Sequence, residues 1–350
     1  MPNQNAFIGK IENPRLLRDI LPDEPSGDMA MQVAVQFEDK RRGILDTTQP
    51  LAAVWARMID KLQQDGQPVY VEIDPGTAII TNLYIPMATG VIEVADDGKE
   101  AIEVVFTGSQ SIHHLRRDHE DFKQFFELLR DAQASGATLL VTANHDDFEI
   151  IDVRPLPRSF VREESREPLP PPAPVRPVSP GRAQELLDMM IACTCTPCHA
   201  AGSCIPFKYP ADGCWIRAHL MCYLMVAENE TPEKMWITGR LNALTNNDPN
   251  CSVGWGWHVA PTLMVTQAGG PDVKMVIDPS LSPVPLTPAD WKALMRNARA
   301  NLYPEQWEGY AYLASGTATQ ARADSDMGKY RLLLNQMCVK YGSSPYQCGG

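Results

Sequence analysis

A proline-rich stretch near the middle of the chain limits what the chain can fold into more than any other feature. Nine prolines lie between Pro155 and Pro180. Proline has no backbone donor and favours extended geometry, so a stretch this rich in proline does not pack a core. At 350 residues the chain is long enough for two domains. We therefore predict a front domain over 1–154, a linker over 155–181 and a back domain over 182–350.

Charge and hydropathy narrow the class of protein. The net charge is −12, and the residues from Arg182 onward hold 13 Lys and Arg against 14 Asp and Glu, so the front part carries about −11. This argues against nucleic-acid binding, which needs a basic surface. It fits simple solubility or a basic partner. No apolar run reaches the ~18 residues of a membrane span, so no membrane partner is expected. The sequence does not predict an oligomeric state.

The cellular location stays open. The first residues, MPNQNAFIGKIENP, lack a basic region followed by an apolar stretch, so they do not resemble a Sec-type signal peptide. Export by another route and a cytoplasmic location are both compatible with the sequence.

The front domain is predicted to be a strand-rich α+β domain. Two segments, 51–64 and 118–134, have the apolar spacing of helices. More strands than helices suggest a small curled sheet or barrel with flanking helices. The β-rich runs are MQVAVQFE, PVYVEID, TAIITNLYI, GVIEVA, AIEVVF, ATLLVTA and FEIIDV.

The front domain shows no chemical motif. His113, His114 and His119 lie close together, but no carboxylate or cysteine completes a metal-ligand set at convincing spacing. A solvated loop and helix start is the favoured interpretation of these histidines, and we predict no metal site and no cofactor.

All nine cysteines lie between Cys193 and Cys348. An odd number leaves one thiol over if the rest pair, and such a thiol is a candidate nucleophile. For the cluster Cys193, Cys195, Cys198 and Cys204 disulfides are favoured, with zinc binding and free thiols as alternatives. Cys338 is expected to pair with Cys348.

Cys214 stands where a helix is predicted to begin. Ile216, Leu220, Tyr223 and Leu224 after it share one face. Free backbone N–H groups and the helix dipole at that point favour an anion, which predicts a lowered thiol pKa and a place for an oxyanion. Position alone still favours a buried structural cysteine.

The positions of His258 and Asp278 favour a catalytic Cys214 over a structural one. Both flank a predicted hairpin, with His258 at the start of one strand and Asp278 at the end of the next. If the turn centres on residue 268, the two side chains are cross-strand neighbours, about 5 Å apart at Cβ. Asp278 then accepts from one imidazole nitrogen and leaves the other to face a thiol. His219 competes for the role of base but lacks an obvious carboxylate, so a structural role is expected, and Cys222 is expected in the core.

Three segments together resemble a known family. DGCWIRAH, WHVAP and VIDPSL are similar to the pattern of the bacterial protein glutaminases, which are protein-glutamine deamidases. The likeness runs from about Asp212 to Trp291 and leaves out the front domain and linker. It implies a compact back domain with a papain- or transglutaminase-like active-site arrangement, in which Cys214, His258 and Asp278 form the catalytic triad. Trp255 and Trp257 are expected to serve packing more than a substrate channel.

The resemblance implies hydrolysis of glutamine side-chain amides in a protein or peptide to glutamate and ammonia, through a thioester on Cys214. A transglutaminase or a cysteine protease using the same triad is one alternative, and a binding or structural protein with an inactive site is another. The front domain is then an inhibitory pro-region, a targeting module or a substrate-recruiting domain.

Overall fold

The computed structural model describes residues 6–12, 32–160, 174–305, 311–313, 316–317 and 320–348. Contacts divide the chain into two compact units. The first holds the described residues of Met1–Val104, His113–Arg162 and Asn335–Lys340, and the second holds those of Val105–Ile112, Glu163–Leu334 and Tyr341–Gly350. Residues 161–173 of the predicted linker lie outside the described residues. The division into domains at 155–181 stays a prediction, but the second unit includes one short piece of the front part, Val105–Ile112.

The front part contains two helices, α1 (Ala52–Gln64) and α2 (Phe122–Ser135), at the two predicted places. The strands are β1 (Ala6–Gly9), β2 (Gln32–Gln36), β3 (Arg42–Asp46), β4 (Val69–Ile73), β5 (Ile80–Tyr84), β6 (Met87–Thr89), β7 (Val91–Ala95), β8 (Ala101–Phe106), β9 (Ile112–Arg116), β10 (Leu139–Ala143) and β11 (Ile150–Pro155). All seven predicted strands are among them, and four, β1, β3, β6 and β9, were not predicted. The described strands form small separate sheets, β1-β4-β5, β11-β10-β6, β2-β3 and β7-β8-β9, instead of one curled sheet.

The front part is built twice from one pattern. Helix α1 and strands β3, β4 and β5 each recur 70 residues later as α2, β9, β10 and β11, since 122 − 52, 112 − 42, 139 − 69 and 150 − 80 all equal 70. Even an unusual backbone conformation recurs, with φ of 59° at Ala78 and 58° at Phe148. Sequence inspection missed this duplication because the copies share an apolar pattern and few identical residues.

The predicted location of two front histidines is wrong. His113 and His114 lie on strand β9, where alternate side chains point to opposite faces, so that His113 is buried and His114 is half-buried. His119 lies before α2, where its Nδ1 accepts from the backbone N–H of Asp121 at 3.1 Å. Among the described residues no group of His, Cys, Asp or Glu is arranged to hold a metal ion.

The second unit contains six strands and four helices among its described residues: α3 (Pro180–Ala192), α4 (Cys214–Ala227), β12 (Glu233–Leu244), β13 (Ser252–Val265), β14 (Val273–Val276), α5 (Pro288–Leu294), β15 (Asn301–Glu305), β16 (Ala311–Leu313), β17 (Gly316–Thr317) and α6 (Gln320–Tyr341). It is organised around a four-stranded antiparallel sheet in the order β14-β13-β12-β15. Helix α4 packs against β13, the longest of the described strands. The mixed α and β composition is as predicted, and the papain- or transglutaminase-like arrangement stays a prediction.

Helix α4 is buried on almost every side. The face that apolar spacing predicted for the core is its less buried one, because Leu220, Tyr223 and Leu224 are only half-buried. The opposite side, including Cys214, Met221 and Cys222, is buried. A helix packed on several sides has no single apolar stripe, so periodicity does not identify its core face.

The disulfides differ from the expected pairing in one respect. Cys348 pairs with Cys251 and not with Cys338, and Cys195 pairs with Cys204. Cys198 and Cys338 are also disulfide-bonded. Three thiols, those of Cys193, Cys214 and Cys222, are free. No helix in the described part of the chain is both long and apolar enough to cross a bilayer.

Candidate active site

Cys214 is the first residue of α4, and a glycine sets its position. Gly213, the residue before the helix, has φ of 84°, a conformation that side chains rarely adopt. A Cβ at this glycine would lie 2.9 Å from the ring of Tyr330. The sharp turn therefore needs glycine, and it places the backbone N–H of Cys214 at the open N-terminal end of the helix, where it has no partner within the helix.

His258 and Asp278 are brought together as predicted. His258 Nε2 lies 2.9 Å from Asp278 Oδ2, and the Nε1–H of Trp291 donates to the same oxygen at 2.9 Å. Burial raises the pKa of Asp278, but the hydrogen bonds from His258 and Trp291 and the positive charge of Arg217 outweigh it, so the pKa falls below its usual value. Asp278 is therefore a carboxylate that accepts, and His258 carries its proton on Nε2.

The other nitrogen of His258 is left open. Its Nδ1 is buried and has no hydrogen-bond partner among the residues that the structure describes. The imidazole ring stacks on Trp255, with 4.5 Å between centroids and 17° between planes. Asp278 on one edge and Trp255 on one face hold the ring in place, so Nδ1 is the nitrogen available to exchange a proton.

The predicted register of the hairpin is wrong by two residues. Strand β13 continues on both sides of His258, and Val265 opposes Val273, which centres the turn on residue 269 instead of 268. Asp278 lies beyond the end of β14, diagonal to His258. A shift of two keeps both side chains on the same face, since the side-chain period of a strand is two. The contact is therefore preserved, because long side chains bridge diagonal neighbours.

The predicted lowering of the Cys214 pKa is wrong for this structure. The thiol is buried, and burial raises its pKa well above the usual value; Arg217 and the backbone N–H of Val259 lower it by less. The nearby carboxyls of Asp212 and Asp278 act in the same direction as burial. Desolvation outweighs the helix start here, so Cys214 is a protonated thiol at neutral pH.

A buried arginine supplies positive charge beside the thiol. Arg217 Nη1 donates to the carbonyl oxygens of Tyr209 and Asp212, at 3.1 and 2.7 Å. Its Nη2 is buried with no hydrogen-bond partner among the described residues. The cation is thus fixed under the turn that leads to Cys214, and it favours any negative charge that develops there.

The segment Val105–Ile112 lies along strand β13, next to Cys214. The backbone N–H of Gly256 donates to the carbonyl oxygen of Gln110 at 2.8 Å, and Ser111 pairs with Trp255 as an isolated antiparallel bridge. Trp257 Nε1–H donates to the carbonyl oxygen of Phe106 at 2.9 Å. The segment therefore pairs with β13 as an added strand would, and side-chain hydrogen bonds strengthen the contact.

Gln110 presents its side-chain amide to Cys214. Its Oε1 accepts from the backbone N–H of Cys214 at 2.6 Å, and its Nε2 donates to the carbonyl oxygen of Pro210 at 3.3 Å. Gln110 is fully buried. Sequence reasoning missed this residue, because nothing in the run TGSQSIHH marks a long-range contact with the back domain.

The other residues considered for the site, two in helix α4 and two tryptophans on β13, lie where they serve packing and hydrogen bonding. Burial, with a smaller contribution from Lys234, lowers the pKa of His219 to about 3, so it is neutral at physiological pH and a poor general base. Burial raises the pKa of Cys222 to about 12, and this cysteine lies in the core as expected. Trp255 Nε1–H donates to the carbonyl oxygen of Pro210 at 3.2 Å. Both Trp255 and Trp257 therefore pack and hydrogen-bond within the site.

The back half is similar to known proteins. Residues 183–295, which include Cys214, His258 and Asp278, match the family model described as glutaminase. The crystal structure of a pro-protein-glutaminase is 24% identical and covers 70% of this chain and 92% of its own, with a TM-score of 0.57. That of a mutant of pro-protein-glutaminase is 25% identical with the same coverage and a TM-score of 0.58. None of the curated proteins compared with the chain matches it. The expected resemblance of the back domain to protein glutaminases is confirmed.

The neutral state of His219 predicts a pH dependence of stability. In the unfolded chain a histidine has a pKa of about 6.5. Its folded pKa is about 3, so below pH ~6.5 the unfolded state takes up a proton that the folded state refuses, and stability falls as the pH drops. We expect His219→Gln to remove about 2–3 kcal/mol of the loss in unfolding free energy between pH 7 and pH 4.5. Urea unfolding at both pH values measures it, and equal losses in variant and wild type would contradict the assignment.

Proposed function

We propose that this glutaminase-like chain hydrolyses the side-chain amide of glutamine in proteins or peptides, releasing glutamate and ammonia. Cys214 is the nucleophile, His258 the general base and acid, and Asp278 the residue that orients the imidazole. The observation that carries the proposal is the glutamine carboxamide of Gln110, whose oxygen accepts from the backbone N–H of Cys214 at 2.6 Å. The likeness to protein glutaminases supports the same class of reaction.

The proposed chemistry follows from the contacts. His258 Nδ1 takes the thiol proton of Cys214, and the sulfur attacks the amide carbon of the substrate. Negative charge then moves to the amide oxygen, where the Cys214 N–H donates and the buried cation of Arg217 lies nearby. His258 passes the proton to the nitrogen of the tetrahedral intermediate, the C–N bond breaks, and ammonia departs to leave the thioester. Water, deprotonated by the same imidazole, releases glutamate and the thiol.

The site favours a side-chain amide over a peptide bond. At Gln110 the group against the Cys214 N–H is the carboxamide, while the backbone carbonyl points to Gly256 instead. A cysteine protease would need the backbone carbonyl in the first position. A transglutaminase shares the thioester and differs only in the acceptor, an amine instead of water. We therefore keep transglutamination as the second candidate.

Activity on a glutamine-containing protein tests the proposal. We expect ammonia release without chain cleavage and without incorporation of a labelled amine, since water is the acceptor. Cys214→Ala should abolish the reaction, and Asp278→Asn should slow it by at least ~100-fold, because it stabilises the wrong imidazole tautomer. Fragments of the added protein would instead favour a protease, and amine incorporation a transglutaminase.

We further propose that the segment Val105–Ile112 inhibits the enzyme by occupying the substrate position. It buries Gln110 against Cys214, and burial is the main cause of the raised thiol pKa. The pro-form structures cover 70% of this chain, whereas 182–350 amounts to 169 of 350 residues, so the likeness includes part of the front half. Both observations support the interpretation of the front domain as a pro-region.

A pair of glycines on β13 tests the inhibition. A Cβ at Gly256 would overlap the side chain of Val105, whereas a Cβ at Gly254 meets nothing within 4 Å. In a chain carrying Gln110→Met, which offers no amide for hydrolysis at Cys214, we expect Gly256→Ala to loosen the segment and to raise activity on an added peptide about tenfold, and Gly254→Ala to leave it unchanged.

Shortening Val105, which faces Gly256, shows whether Gly256→Ala acts through this overlap or by disturbing strand β13. Adding Val105→Ala to Gly256→Ala in the same Gln110→Met chain relieves the overlap and should restore the low rate of the Gln110→Met parent. Loss of activity in Gly256→Ala, with no rescue by Val105→Ala, would contradict inhibition by this segment.

A further inference from the structure

Every polar group of Gln110 is engaged in the site. The backbone N–H donates to Asp212 Oδ1 at 3.1 Å, and the backbone carbonyl accepts from the Gly256 N–H at 2.8 Å. The side chain bonds to the Cys214 N–H and to the carbonyl oxygen of Pro210. A side chain that only blocked the site would not need these hydrogen bonds. Together they orient the carboxamide of Gln110 with respect to the thiol of Cys214.

The residues on either side of Gln110 tighten this placement. Ser111 Oγ–H donates to the carbonyl oxygen of Ala211, and Ser109 hydrogen-bonds Asp212. The backbone is thus fixed immediately before and after the glutamine. Fixing both ends of a residue leaves its side chain few ways to leave the site, which is the condition for a high effective concentration of reactants.

We propose that Gln110 is a substrate of its own active site, hydrolysed once in each chain to a glutamate at position 110. The inference rests on the proposed function, because it uses the same thiol, base and water. It differs from simple inhibition, since the inhibiting side chain is itself consumed.

The reaction balances with water as the only co-reactant. The Cys214 thiol gives its proton to His258 Nδ1 and its sulfur bonds to Cδ of Gln110. The Cδ–Nε2 bond then breaks, and the nitrogen leaves as ammonia with the proton from His258. Water adds to the thioester carbon, the C–S bond breaks, and the thiol regains a proton. Each chain releases one ammonia and gains one carboxylate.

The product fits the site less well than the amide. A carboxylate has no N–H to donate to the Pro210 carbonyl, and it places a new negative charge near the carboxyls of Asp212 and Asp278. The segment is therefore held less tightly after the reaction, and the site opens to other substrates. One turnover in the chain itself thus converts a closed enzyme into an open one.

Mass spectrometry of the full-length chain tests the proposal directly. Trypsin releases residues 100–116 as one peptide, in which Gln110 is the only glutamine and no asparagine is present. We expect the wild type to carry glutamate there, seen as a mass gain of about 1 Da. Cys214→Ala should retain the amide, and Asp278→Asn should convert slowly. Gln133 on α2, located by fragment ions, is the reference for deamidation that does not depend on the site.

Two results would overturn the proposal. One is an intact amide at Gln110 in a wild-type chain that deamidates an added glutamine peptide, which leaves the proposed function standing. The other is glutamate at position 110 in Cys214→Ala as well, which assigns the change to another cause. If the wild type and Gln110→Glu both fail to act on the peptide and the amide persists, the proposed function fails with it.

The Gln110→Glu variant tests whether hydrolysis of Gln110 opens the site to other substrates. It should act on an added glutamine peptide at least about tenfold faster than Gln110→Met, which keeps Cys214, His258 and Asp278 and carries no hydrolysable amide at position 110. A matched change away from the site, Gln133→Glu, should leave the rate on the peptide at the wild-type value. A Gln110→Glu chain as slow as Gln110→Met would contradict release by the product.

Discussion

The carboxyl group of Asp212, a half-buried residue, links by hydrogen bonds three parts of the second unit that meet at the start of α4. Its Oδ1 accepts from the backbone N–H groups of Gly213 and Gln110, at 2.7 and 3.1 Å, and its Oδ2 accepts from the hydroxyl of Tyr330 at 3.2 Å. The Asp212 side chain thus connects the turn before Cys214, helix α6 and the segment Val105–Ile112. Burial raises the pKa of Asp212, and these hydrogen bonds oppose that rise.

Burial and nearby positive charge have opposite effects on the pKa of the Cys214 thiol. Burial is the larger effect and raises the pKa, whereas Arg217 lowers it. Under the proposed inhibition, release of the segment Val105–Ile112 admits water to the site, which removes the largest contribution that favours the thiol and leaves those that favour the thiolate. The proposal thus needs no change in the His258–Asp278 pair between an inactive and a reactive thiol.

Sequence alone predicted which residues of the back domain come together better than it predicted their register. The position of Cys214 at a helix start and the contact of His258 with Asp278 could be predicted, because local periodicity and strand register govern them. The length of the turn, which sets the exact register, could not be predicted. The contact of Gln110 with Cys214 joins residues 104 positions apart, and no local pattern encodes it. In the front duplication residue 110 corresponds to Lys40, which lies at the exposed hairpin tip of the first copy.

In the proposed reaction Cys214 attacks a glutamine side-chain amide to form a thioester. To detect it, the Gln110→Glu chain is mixed with a glutamine peptide, quenched in acid within the first turnover and mapped by mass spectrometry. We expect an adduct on Cys214 equal in mass to the peptide minus ammonia, absent from Cys214→Ala and removed by hydroxylamine. Ammonia release with Cys214 unmodified at every time point, or an adduct on another residue, would contradict it.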